Sequence, residues 1–257
     1  MLAVANFHYI RLDFRSDYPS IFGVTPSQFE AQLDKLSAEA AFISQEDLLQ
    51  YRDKHLKKNY ILITFDDGLK EQYDLARPIL ERKGIPFIFF INTSVYTENQ
   101  VSLVHKIHLL RSHIPPQKLK EAIENQFSIH LDKIEKIKAA QHYNYDNKPT
   151  AYLKYLLNFK LSFAQQEEVI NPLFKIYFDE RSILEELYMD VRQLKNLQKS
   201  GFLASHGHYH NPLGLQDKDN LKSDLNRNQS FFVDNFGEKA SSISYPYGSK
   251  SASAGIQ

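Results

Sequence analysis

Two short runs of this chain carry residues suited to hydrolytic chemistry. The first, Asp66-Asp67-Gly68, follows an almost continuous apolar run, Tyr60 to Phe65. Ligands of α/β proteins collect at the carboxyl ends of parallel strands, so both carboxylates fall where a site belongs. Neighbouring carboxylates repel unless a cation or a proton separates them. Gly68 allows the sharp turn that lets both face one place. Taken alone, the pair would serve equally well as a helix cap. The second run is His206-Gly207-His208-Tyr209-His210. His206 and His210 are four apart, which places two imidazoles on one face of a helical turn and suits two ligands of one divalent ion. Taken alone, this run also fits a solvated turn. Together the two runs offer one aspartate and two histidines, each run sitting just after a strand. Three such ligands leave a position open for water or substrate, as a catalytic metal requires. A third run, Tyr245-Pro246-Tyr247-Gly248, is either a simple turn or a pocket wall with a backbone N–H aimed inward.

The elements that must position these residues alternate in type. Leu2 to Ile10 reads as a first strand, and Asp17 to Gly23 is turn-rich. Thr25-Pro26-Ser27-Gln28 is a helix start with a capping box, and Phe29, Leu33 and Leu36 follow at helical spacing. Ser44 looks like a second cap. The apolar runs Tyr60 to Phe65 and Pro86 to Ile91 suit strands buried on both faces of a parallel sheet. The segment between them reads as a helix from about Lys70 to Lys83, closed by Gly84, which makes a βαβ unit. From about residue 100 to 190 the chain is rich in Lys, Glu, Gln and Leu, with few glycines. This reads as several helices, broken near Pro115-Pro116, Asn147-Lys148-Pro149 and Asn171-Pro172. It is expected to be a helical insertion in a single domain spanning 1–257. Strand character returns at Gly201 to His206 and again at Ser241 to Pro246, and a helix is expected to end near Phe236.

Composition narrows the alternatives. The chain has 257 residues, 42% of them apolar, enough for a buried core. Its 31 basic and 31 acidic residues balance to zero, which argues against a nucleic-acid partner or an anionic membrane surface. No apolar run reaches the ~18–20 residues that span a bilayer. No basic segment precedes the first apolar stretch, so a cytoplasmic location is expected. With no cysteine, disulfides and thiolate nucleophiles are excluded, and any metal must rest on histidines and carboxylates.

The motifs, in this order, resemble those of the NodB-homology polysaccharide deacetylases. Thr64-Phe65-Asp66-Asp67-Gly68 is similar to the family's first motif, and His206 to His210 to its His-(Ser/Thr)-x-x-His motif. Ser244-Tyr245-Pro246-Tyr247-Gly248 resembles its Arg-x-Pro-Tyr motif, and Asn6-Phe7-His8-Tyr9-Ile10 its opening strand. The resemblance implies a distorted (β/α) barrel that removes N-acetyl groups from a sugar or oligosaccharide with a divalent metal, Zn²⁺ or a similar ion. It casts Asp66 as general base and Asp67, His206 and His210 as metal ligands. It assigns the Tyr247 backbone N–H to the oxyanion. Three departures stand out. Gly207 replaces a hydroxyl residue, Ser244 stands where many members have Arg, and no Leu-x-His motif follows Gly248. The expected barrel is therefore incomplete at its C-terminus. Either the sequence is truncated before that motif or the general acid comes from elsewhere, and His8, at the end of the first strand, is a candidate. The residues leave open two other readings: a metal- or sugar-binding remnant, and an amidohydrolase of a non-sugar amide. They say nothing of the oligomeric state.

Overall fold

The computed structural model describes residues 1–14, 23–51, 54–247 and 253. Most of the turn-rich stretch before Gly23, together with Gly248 and nearly all of the tail after it, lies outside the described residues. The chain divides into two compact units. One comprises Met1–Phe14, Phe22–Ser102 and Arg181–Gln257, and the other is built from Leu103–Glu180.

The first unit is organised around five parallel strands: β1 (Leu2–Phe7), β2 (Ala41–Phe42), β3 (Tyr60–Phe65), β4 (Phe87–Ile91) and β5 (Leu203–Ser205). β1 pairs with β3 along its whole length, from Leu2 opposite Tyr60 to Phe7 opposite Phe65. The other edge of β3 is shared: β2 takes Tyr60 and Ile61, and β4 takes Ile63 to Phe65. β5 lies beyond β4, with Ile91 opposite Ser205. The first strand is shorter than the Leu2-to-Ile10 expectation, because Ile10 leaves the sheet to bridge Val24. The Ser241 run makes a single bridge, Ser205 to Ile243, instead of a ladder. Pro246 offers no N–H to extend it. Among the described residues no ladder joins β1 to β5, so the sheet is an open arc of the barrel type.

The pleat sorts side chains into two cores. Ile61, Ile63 and Phe65 join Phe87, Phe89 and Ile91 on one side, packed with Phe29, Leu33 and Phe232. Leu62, Ile88, Phe90 and Ala204 face the other side. Burial on both faces is why these strands read as unbroken apolar runs. A fully buried Phe or Ile contributes ~1.5–3 kcal/mol, so the rows anchor the strand ends that carry the site. The local signals behave as expected. Thr25 and Gln28 form the reciprocal cap of helix Pro26–Glu39, and Gly84 closes helix Arg77–Lys83 with φ 62°. A wide π turn, Gln72–Ala76, comes just before Pro78, whose missing N–H would interrupt a regular α ladder there.

The second unit is helical: Leu103–His113, Pro116–Phe127, Lys133–His142, Lys148–Tyr155 and Phe163–Tyr177. Asp132, Asn147 and Ser162 cap three of these helices. The breaks at Pro115-Pro116 and Asn147 are as expected. The break expected at Asn171-Pro172 does not occur, and Pro172 lies inside a continuous helix. An internal proline costs ~3 kcal/mol, and the tertiary packing around it offsets that. Val169, Ile170 and Phe174 are buried around it, and Lys106 donates to Asn171 Oδ1 at 2.9 Å. The same buried Lys106 is paired with Glu180 at 2.7 Å.

Candidate active site

The site forms where β3, β4 and β5 end. β3 runs directly into Asp66 and Asp67, which are 5% and 4% exposed. Asp67 and Gly68 both take left-handed backbone, φ 79° and 69°. Gly68 has a second reason to be glycine, since a Cβ there would stand 2.9 Å from Ile91 Cγ2. Both carboxylates approach His206, Asp66 Oδ1 at 4.0 Å from its Nδ1 and Asp67 Oδ1 at 3.6 Å from its Nε2.

The His206–His210 segment is not a helical turn. It leaves β5 as an irregular loop, because Gly207 and His210 take left-handed φ of 76° and 60°. This path still brings the two rings together, with centroids 4.9 Å apart. The loop is braced from the helix Lys218–Phe236. Asp224 accepts from the backbone N–H groups of His208 at 2.7 Å and Tyr209 at 3.1 Å. Asn228 donates to the Gly207 carbonyl at 2.6 Å. A Cβ on Gly207 would come within 3.1 Å of Asp224 Oδ1, so glycine fits this bracing. His208 turns away from the other two histidines. Its Nδ1 lies 2.8 Å from Thr93 Oγ1 and its Nε2 3.2 Å from Glu98, a carboxylate that also accepts from Tyr209 and Arg227.

Asp67, His206 and His210 place one ligand atom each within 4.8 Å of one another. His206 Nδ1 lies 2.9 Å from the Ser244 carbonyl oxygen, which can only accept, so this nitrogen carries the ring proton. Burial pushes the His206 pKa down and favours the neutral ring. Its Nε2 therefore presents a lone pair to Asp67 Oδ1, 3.6 Å away. His210 Nε2 lies 3.1 Å from the same oxygen. A lone pair and a carboxylate facing each other in a buried site repel unless a cation or a proton lies between them. The donor set of two imidazoles and one carboxylate suits a divalent transition ion.

Asp66 lies beside this group with a different set of neighbours. Its Oδ2 accepts from Asn6 Nδ2 at 2.7 Å, and its buried Oδ1 has no hydrogen-bond partner among the described residues. His8, with a side chain 47% exposed, places Nε2 3.8 Å from Asp66 Oδ2. The fully buried Gln72 ties the ends of both strands together, donating to the His8 carbonyl at 2.8 Å and the Asp66 carbonyl at 2.6 Å. Tyr247 packs its ring on His210, with centroids 5.2 Å apart. Five described non-glycine residues have positive φ, and three of them are Asp67, His210 and Tyr247. Such backbone costs ~1–3 kcal/mol per residue and concentrates where function demands it.

All six residues singled out from the motifs therefore meet in the first unit. The sequence reading missed Asn6, Gln72, Asp224 and Asn228. Asn6 was discernible only as a polar residue in an otherwise apolar first strand. Gln72, Asp224 and Asn228 lie on helices, where amides and carboxylates are ordinary surface residues.

An open parallel β/α sheet thus carries at its strand ends an Asp-His-His group that could hold a metal ion. A family model described as polysaccharide deacetylase matches residues 53–152 and 176–255, and the chain belongs to that family. Relatives include the poly-beta-1,6-N-acetyl-D-glucosamine N-deacetylase of Staphylococcus epidermidis, 30% identical over 101 residues that span 35% of each chain. The enzyme of the same name from Staphylococcus aureus is 27% identical over 201 residues, 64% of this chain and 69% of that one. Among solved structures, the Streptococcus pyogenes deacetylase PplD in complex with acetate matches with a TM-score of 0.55 at 13% identity, covering 96% of this chain and 74% of that one. A de-N-acetylase from Aggregatibacter actinomycetemcomitans matches with a TM-score of 0.54 at 15% identity, covering 96% and 80%. These two likenesses establish the shared fold. No helix among the described residues is long and apolar enough to cross a membrane.

Proposed function

We propose that the chain is a metal-dependent hydrolase that removes N-acetyl groups from a carbohydrate, in polysaccharide or glycoconjugate biosynthesis. The observation that carries this reading is the buried Asp67-His206-His210 group with Asp66, a separate carboxylate, beside it. The named activity of the staphylococcal relatives supports a chain of N-acetylglucosamine units as the substrate class. Asp67, His206 and His210 would hold the ion, with Zn²⁺ the choice their donors favour. When bound, the ion supplies Lewis-acid polarisation of the acetyl carbonyl and an acidified water.

The chain's own residues supply the rest of the chemistry. Asp66 accepts the proton of the attacking water through its unpaired Oδ1. The Tyr247 backbone N–H would donate to the developing oxyanion, a contribution of ~10²–10³ in rate where such donors are removed. The carbon–nitrogen bond then breaks, and His8 delivers a proton to the departing amine, leaving acetate and a free amino sugar. The exposure of His8 suits a group that must reach substrate.

The test is acetate release from N-acetylglucosamine oligomers by the zinc-loaded chain. His8→Ala is expected to reduce that release by ~10²–10⁴-fold with metal content unchanged. One observation favours the competing reading, a sugar- or metal-binding remnant. His8 Nε2 stands 3.8 Å from Asp66, beyond hydrogen-bond distance, so this contact does not fix the proton donor. Oligomer binding without acetate release would establish that reading. Release from simple aryl amides, but not from N-acetylated sugars, would point to a non-sugar substrate.

We also infer that Leu103–Glu180 is a helical insertion within one catalytic domain. Limited proteolysis is expected to degrade this segment without yielding a stable fragment, and recovery of an independently folded piece from about 100 to 190 would overturn the inference.

A further inference from the structure

We propose that Asn6 is a positioning residue for Asp66, and that Thr64 sets the orientation of the Asn6 amide for this task. The inference rests on the reading of Asp66 as the base.

The geometry forms a relay of two hydrogen bonds. Asn6 and Thr64 stand opposite each other in the β1–β3 register, with side chains on the same face. Thr64 Oγ1 donates to Asn6 Oδ1 at 2.9 Å. Asn6 Nδ2 donates to Asp66 Oδ2 at 2.7 Å. The carboxylate can only accept, so the amide nitrogen must face Asp66 and the amide oxygen must face Thr64. Each end of the relay thus specifies the same amide orientation.

A base needs this kind of hold. The terminal torsion of an aspartate is broad, and rotation exchanges its two oxygens. With Oδ2 tied to Asn6, Oδ1 is the oxygen without a hydrogen-bond partner among the described residues, 4.0 Å from His206 Nδ1. Asn6 therefore decides which oxygen is presented to the attacking water. It does so with a neutral donor, which holds the carboxylate in place without pairing it with a cation.

Asn6 is not part of either apolar core. It is exposed and, with Thr64 and Ser244, borders a cavity of about 350 Å³. Truncating it removes the partner of the buried Asp66 carboxylate and Thr64 hydroxyl, so the fold of the variant is read separately as its melting temperature. Lost activity at an unchanged melting temperature is then a loss of positioning and not of fold.

The experiment uses the full chain loaded with zinc. For acetate release from N-acetylglucosamine oligomers, Asn6→Ala is expected to lower kcat about tenfold, with KM within about twofold and metal stoichiometry unchanged. Thr64→Val, which keeps the shape and removes the hydroxyl, should show a smaller loss in kcat, and Thr64→Ser should recover most of it. Nuclear magnetic resonance of the Asn6 side-chain amide gives a readout independent of activity. Its protons should be protected from exchange, shift in Asp66→Asn and lose protection in Thr64→Val. Turnover of Asn6→Ala within twofold of the parent chain would overturn the proposal, as would an Asn6 amide that exchanges freely. If the parent chain releases no acetate, the deacetylase reading fails, and the amide resonance alone decides whether Asn6 holds Asp66.

Discussion

Asp66→Asn is expected to abolish acetate release while the protein still binds its metal. Asparagine preserves the shape of the side chain, and its amide oxygen can still accept the hydrogen bond from Asn6 Nδ2 that now reaches Asp66 Oδ2. What it loses is the capacity to take a proton. Loss of a general base costs ~10²–10⁴-fold in rate. Because Asp66 is not one of the three converging ligands, metal content should remain that of the parent chain. Acetate assays and metal analysis on the same preparation check both halves. Turnover at the parent rate would remove Asp66 from the chemistry, and joint loss of metal and activity would make it a ligand.

The second large effect is on metal binding. His206→Ala is expected to lose most of the bound zinc, and His208→Ala much less. His206 is 1% exposed and aims Nε2 at Asp67 Oδ1, whereas His208 spends both ring nitrogens on Thr93 and Glu98. Loss of one of three protein ligands leaves a site that cannot enforce the coordination a catalytic ion needs. His208→Ala instead removes two contacts to the loop, which Asp224 and Asn228 still brace through the backbone. Metal stoichiometry by mass analysis separates the two variants, and anomalous scattering locates the ion. Equal losses would show that the whole loop, not the His206 nitrogen, determines binding.

Much of this protein was legible before its fold was known, and the physical reasons differ from element to element. The Tyr60–Phe65 and Phe87–Ile91 strands announce themselves because both their faces are buried, which leaves no room for polar residues. Thr25 with Gln28, and Gly84, are local signals decided within four residues of chain. The site residues were discernible because the chemistry demands particular groups: carboxylate beside carboxylate after a strand, and histidines four apart. What local sequence could not supply was any arrangement dependent on distant neighbours. The spacing of His206 and His210 suggested a helical turn, but Gly207 and His210 adopt left-handed backbone held by Asp224 and Asn228 from another element. Pro172 suggested a helix end, but the packing around it outweighs its intrinsic cost. Asn6 and Gln72 became site residues only when the parallel register set β1 beside β3, 58 to 64 positions along the chain. The identity of the chemical groups is a property of the sequence, because side-chain chemistry is local. Which oxygen of Asp66 is left unpaired, and which nitrogen of His206 faces Asp67, belongs to the tertiary structure, because hydrogen bonds to remote backbone and side chains decide it.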